Sequence, residues 1–113
     1  MAVTVREDRG ITVVELTGEL DTTNTAELGQ LFDRLLAEGR RRFVLDLQGV
    51  AFIDSAGLST LVRCFKRVRN GTGHVSLASL QPPVRRVLEL TRLDRAFEVC
   101  ADAATAVQHL VGT

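Results

Sequence analysis

Two apolar rhythms take turns along this chain, and their alternation narrows the fold more than any other feature. Val3 and Val5, then Ile11, Val13, Val14 and Leu16, alternate around Arg9-Gly10, which reads as a β-hairpin. Leu28, Leu31, Phe32, Leu35 and Leu36 then recur at helical spacing as far as Gly39, predicting a helix over about residues 25 to 38. The polar stretch Thr17 to Thr25 before it ends in good N-cap residues. Phe43-Val44-Leu45-Asp46-Leu47 is a short apolar run that suits a central strand. Leu58, Leu61, Val62, Phe65 and Val68 return to the helical period and close at Asn70-Gly71, giving a second helix over roughly 55 to 69. His74 to Ala78 reads as a strand. Pro82-Pro83 opens a third helix with Val84, Val87, Leu88 and Thr91 on its inner face. Phe97-Glu98-Val99 reads as a last strand, and Ala103, Ala106, Val107, Leu110 and Val111 mark a C-terminal helix capped near Asp102 and ended by Gly112. Strand and helix in alternation imply parallel neighbours joined by crossovers, hence an α/β domain with a mixed sheet of four to five strands.

Size and charge bound what such a domain does. At 113 residues the chain is read as a single domain, 1–113, and its 45% hydrophobic content supplies a core without disulfide or metal. Fourteen basic and fourteen acidic side chains leave a formal charge of zero, so no global positive field draws it to nucleic acid or anionic lipid. With no Trp, no Tyr and five Phe it has few platforms for stacking bases. No signal peptide opens the chain and no apolar run is long enough to span a membrane, so a cytoplasmic protein without a membrane span is expected. Cys64 and Cys100 have neither metal-site nor redox spacing and read as small core residues; no metal and no cofactor is expected. The triplet Arg40-Arg41-Arg42 reads as the solvated start of a strand, with a functional basic patch as the alternative.

In an α/β sheet, chemistry gathers where strands hand over to helices. Two segments occupy such positions, Gly18-Glu19-Leu20-Asp21 and Phe52-Ile53-Asp54-Ser55-Ala56-Gly57-Leu58. The plain reading of the second makes Asp54 or Ser55 an N-cap and Gly57 a small residue that lets the helix start pack closely. The functional reading adds that a serine hydroxyl at a helix N-terminus is well placed to carry a phosphate, because free N–H groups and the helix dipole favour an anion there. Three catalytic alternatives are poorly supplied. A hydrolase elbow G-x-S-x-G would need glycine where Ile53 stands, with only His74 or His109 as base. The only lysine, Lys66, lies mid-helix without a phosphate-binding loop before it. A phospho-accepting receiver would need a paired acidic cluster for Mg²⁺ and a late-strand lysine, and both are missing. No catalytic residue is assigned.

These segments resemble the STAS domain family (sulfate transporter and anti-sigma factor antagonist), and within it the stand-alone anti-sigma factor antagonists. Gly18 to Asp21, Phe43 to Leu47 and above all Phe52 to Leu58 carry the resemblance, and the order of elements extends it over nearly the whole chain. The resemblance implies a STAS-type fold with helices packed mainly on one face. It implies that Ser55 is phosphorylated by a partner kinase that is itself the anti-sigma factor, an ATPase of the histidine-kinase-like type, and that a serine phosphatase reverses the step. Unphosphorylated, the domain would bind the anti-sigma factor and release the sigma factor. Asp21 and Asp54 would flank the serine, and Gly57, Ser59, Arg63 and Arg67 would complete a partner surface along the exposed face of the second helix. Ala56 stands where many relatives carry a second Ser or Thr. The other function classes are a STAS scaffold that is never phosphorylated and a regulatory subunit of a signalling or lipid-transport complex.

Overall fold

Arg9 and Gly10 both take positive φ (52° and 82°), the geometry of a tight two-residue hairpin turn, and they join β1 (Ala2–Asp8) to β2 (Ile11–Leu20). In the computed structural model, which describes residues 1–112, the chain continues through α1 (Thr25–Ala37), β3 (Arg42–Ile53), α2 (Ser55–Asn70), β4 (His74–Ala78), α3 (Pro82–Leu90), a 3₁₀ turn at Leu93–Arg95, β5 (Glu98–Cys100) and α4 (Ala103–Val111). The five strands form one sheet in the order β1-β2-β3-β4-β5, with β1 antiparallel to β2 and the other pairings parallel. The fold is therefore the expected α/β arrangement with a mixed sheet.

Period-two alternation sorts the strand side chains onto two faces. Val14, Leu16, Phe43, Leu45, Leu47 and Leu77 face the larger core, where they meet Leu28, Phe32 and Leu35 of α1, Leu61, Phe65 and Val68 of α2, and Val84 and Leu88 of α3. Ile11, Val13, Val44 and Ala78 face the other way, onto Ala103, Ala106, Val107 and Leu110 of α4. Helices thus lie mainly on one face, with α4 alone on the second. The continuous run Phe43–Leu47 is what a strand covered on both faces requires. Aromatic contacts tie the larger core across elements: Phe32 meets Phe43 at a ring separation of 5.4 Å, and Phe65 meets Phe97 at 4.5 Å.

Two strands run further than their apolar patterns suggest. β3 does not stop at Leu47 but continues to Ile53, and β2 absorbs Thr17 to Leu20, which read as loop. The reason is their mutual pairing, Thr17↔Gly49 through Leu20↔Ile53, beyond the last β3–β4 pair at Asp46↔Ala78. Register shifts between Glu15 and Thr17 and between Gly18 and Glu19 place extra residues in β3, and such bulges break the alternation on which a sequence reading depends. Thr91, expected on the inner face of α3, is exposed instead, and its hydroxyl donates back to the Val87 and Leu88 carbonyls (2.8 and 3.2 Å) at the end of that helix.

Because Leu45 is fully buried at the centre of the sheet, Leu45→Ala is expected to cost about 2–5 kcal/mol in urea unfolding. The same truncation at Leu90, 77% exposed, should change stability by no more than about 0.5 kcal/mol.

Candidate phosphorylation and docking site

The paired ends Leu20↔Ile53 set the geometry of the site, since the next residue on each strand is an aspartate, Asp21 or Asp54. The main chain is stitched at this point: the Asp54 N–H donates to the Leu20 carbonyl at 3.2 Å. Asp54 then has extended backbone geometry as the N-cap of α2, and its Oδ1 accepts from the Gly57 N–H at 2.8 Å. Its second oxygen, Oδ2, accepts from the Thr22 hydroxyl at 3.4 Å, which links the β2–α1 loop to the start of α2.

That loop holds itself in shape. Asp21 Oδ1 accepts from both the Thr23 hydroxyl (2.5 Å) and the Thr23 N–H (2.9 Å). Asn24, largely buried, accepts from the Asp21 N–H at 3.0 Å and donates to the Glu19 carbonyl at 2.6 Å. Asn24 stands at the N-cap of α1 yet makes no side-chain capping bond there, because its side chain is spent on the loop. The Thr23 hydroxyl, and after it the Thr23 N–H, hold the Asp21 carboxyl below its ordinary pKa.

Ser55 is the first residue of α2 and is exposed, and its hydroxyl has no hydrogen-bond partner among the described residues. With the Gly57 N–H taken by Asp54, the N–H groups of Ser55 and Ala56 remain outside the intrahelical ladder. Gly57 itself is buried: a Cβ there would stand 2.4 Å from the Leu20 carbonyl oxygen. Its small size lets the helix start pack closely against the strand end.

The other expected residues spread along α2. Ser59 is exposed one turn beyond Ser55. Arg63 donates from Nη2 to the buried Thr60 hydroxyl at 3.1 Å, and Thr60 in turn donates to the Ala56 carbonyl at 3.0 Å. Arg67 forms an ion pair with Asp33 of α1 and lies about 18 Å along the helix from Ser55 at 1.5 Å per residue. The structure therefore gathers Asp21, Asp54 and Ser55 at one point and leaves Arg63 and Arg67 at a distance. Two residues join this point that the sequence reading did not single out. Thr22 is recognisable only once the strand ends are known to pair, and Phe52, 45% exposed beside Asp54, is an apolar side chain at a strand end otherwise turned inward.

Neither histidine stands beside the serine. His74 begins β4 at the opposite end of the sheet, and His109 pairs with Glu98 at 2.6 Å. Cys64, on the inner face of α2, is buried, and burial pushes its thiol up to about 11. Burial also raises the Cys100 thiol, with Glu98 and Asp102 adding to the shift. No cluster of three or more His, Cys, Asp or Glu among the described residues is arranged to hold a metal, and no helix among them is long and apolar enough to cross a membrane.

Comparison with known proteins places this geometry in context. The STAS domain family model matches residues 2–106. The anti-sigma-F factor antagonist RsfB of Mycobacterium tuberculosis is 29% identical over 113 residues, covering 96% of this chain and 90% of its own. An anti-sigma factor antagonist from Mycobacterium paratuberculosis, known as a crystal structure, superposes with a TM-score of 0.86 at 28% identity, covering 96% of this chain and 92% of that one. The Bacillus cell fate determinant SpoIIAA, solved in its phosphorylated form, shares the fold at a TM-score of 0.75 and 18% identity, with 96% of this chain and 99% of that chain covered.

Two measurements check the local geometry. Asp54→Ala should cost about 0.5–2 kcal/mol in urea unfolding through loss of the α2 cap. In an NMR titration the Asp21 carboxyl should have its midpoint below 3.8, and Thr23→Val should move it up. Since the folded-state value is the lowered one, the stability it contributes is present above the unfolded-state pKa and is lost as pH falls through the folded value.

Proposed function

The chain belongs to the STAS domain family, and from that premise we propose that it is an anti-sigma factor antagonist whose docking is switched by phosphorylation of Ser55. The observation that carries this reading is the exposed, unpartnered Ser55 hydroxyl at the first turn of α2, beside Asp54 and the loop of Asp21. In the unphosphorylated state the domain docks on an anti-sigma factor through Ser55, Asp54, the Asp21 loop and the exposed face of α2 bearing Ser59, Arg63 and Arg67. Phe52, exposed two residues before Asp54, offers an apolar side chain at this end of the sheet.

Phosphorylation adds about −1.5 to −2 charges at a place that already carries two carboxylates. Within a docked interface that charge is both repelled and stripped of water, so affinity falls. A tenfold loss needs only about 1.4 kcal/mol, so the domain need not refold. In the free domain the phosphate is favoured by the helix dipole and by the N–H groups left open at the start of α2. The partner that delivers the phosphate is a serine kinase of the histidine-kinase-like ATPase type, acting also as the anti-sigma factor, and a serine phosphatase restores the docking form. The names borne by the relatives support the anti-sigma factor as partner, and among the described residues no histidine stands beside Ser55.

Incubation with the candidate kinase and ATP, followed by mass mapping, should place the phosphate on Ser55. In calorimetric titrations against the same partner, Ser55→Ala should bind like the unmodified chain and Ser55→Asp at least about tenfold more weakly. Equal affinities for the two variants would overturn the switch and favour a scaffold role. Arg63→Glu should weaken docking while leaving the free energy of urea unfolding within about 0.5 kcal/mol of the parent, because this side chain is exposed and forms no ion pair among the described residues.

A further inference from the structure

Among the nine glycines of the chain, Gly29 is the one the fold does not account for. Of the others, three take positive φ, three stand where a Cβ would come within 2.5 Å of another atom, and two occupy helix C-caps. Gly29 lies inside α1, where glycine is the poorest helix former after proline, and a Cβ there would meet nothing within 4 Å. The helix is weakened at this point with no gain in packing inside the domain.

The missing side chain leaves room on the wall of a groove of about 370 Å³ between α1 and α2. Each of these helices joins one parallel strand to the next, so the two run in the same direction over the sheet. Asp33 of α1 forms an ion pair with Arg67 of α2 across the gap. One turn back on each helix, Gly29 therefore stands opposite Arg63, and both line the same groove. Cys64, buried, lies between Arg63 and Arg67 in the lining, so the groove has an apolar middle with charged side chains around it.

The two arginines differ. Arg67 is neutralised by Asp33, whereas Arg63 is steadied only by its bond to the Thr60 hydroxyl at 3.1 Å and forms no ion pair among the described residues. A hydroxyl oxygen directs a guanidinium without cancelling its charge, and the rest of the planar fork stays available to a carboxylate. Arg63 also stands in an i, i+4 stripe with Ser59 and Ser55 and lies about 12 Å along α2 from Ser55. The groove is thus continuous with the face proposed above to dock.

We propose that the groove between α1 and α2 receives a large apolar side chain of the protein that docks at Ser55, flanked by a carboxylate of that partner which pairs with Arg63. Gly29 leaves open the volume this side chain fills, which brings α1 into an interface otherwise built on α2 and the loop of Asp21. The proposal rests on the antagonist reading, since its occupant belongs to the same partner.

The test is a set of calorimetric titrations of the whole chain against the candidate anti-sigma factor, each variant also being unfolded in urea. Gly29→Gln replaces glycine by a good helix former, so it should raise the urea midpoint while weakening docking about tenfold. A purely structural role for the glycine would not move stability and affinity in opposite directions. Arg63→Gln should weaken docking about fivefold. The double variant should lose less than the product of the two single losses, because both changes disturb one occupant. Gly29→Gln that binds like the parent, or that lowers the urea midpoint, would overturn the groove, and so would losses that simply multiply. If Ser55→Asp weakens docking while Gly29→Gln does not, the groove falls and the switch stands; if the parent chain does not bind the partner, both fall.

Discussion

The Leu20 carbonyl is where the sheet and α2 are joined, and the arrangement of the site depends on it. It accepts the Asp54 N–H, which turns the chain out of β3 and into α2, and it approaches Gly57 so closely that no side chain has room there. One carbonyl oxygen thus sets both the register of β3 against β2 and the depth at which α2 sits on the sheet. Asp54 and Asp21 become neighbours because each is the residue after a paired strand end, and Ser55 is exposed because the helix start is seated by Gly57, two positions on. The polar groups that follow are consequences: Asp54 caps the helix, Thr22 bonds the cap, and Asn24 and Thr23 fix the loop that carries Asp21.

A formal charge of zero conceals an uneven distribution. The carboxyl ends of the strands carry Asp21 and Asp54, while Arg9, Arg40, Arg41 and Arg42 stand at the opposite end, where Asp8 and Glu38 pair with two of them. Such a molecule has little net attraction for a polyanion yet presents two ends of different character, one acidic at the strand carboxyl ends and one rich in guanidiniums. Helix direction contributes in the same sense. α2 begins beside Ser55, and Arg67 and Arg69 lie in its last turn, where cations complement the dipole.

Much of this was legible in the order of residues, and what was not shares a physical cause. The periods of α1, α2 and β4 survive intact because each packs one continuous stripe or one alternating face, so their limits were predicted to within a residue or two. β3 was cut short at Leu47 because its bulged half pairs only with β2 and exposes Gln48, Gly49, Ala51 and Phe52, a pattern with no simple period. The placement of α4 on the second face was equally hidden: Ala103, Ala106, Val107 and Leu110 declare a buried stripe but not the side of the sheet that buries it. At the site, Asp54 and Ser55 stood out as polar residues between two apolar runs. Thr22 and Phe52 did not, since their part follows from pairing between segments some thirty residues apart, which local spacing does not encode. Gly57 is a mixed case, where the sequence suggested both a packing and a partner role and the geometry supplies a reason for the first.

The state of the two thiols bears on what kinds of signal this molecule hears. Thiolate is the form that oxidants and electrophiles attack, and Cys64, with its thiol pushed up to about 11 inside the core, stays protonated at neutral pH. Cys100 is shifted in the same direction. The helix that carries Ser55 is thereby insulated from changes in cellular redox poise, although a cysteine sits in its middle.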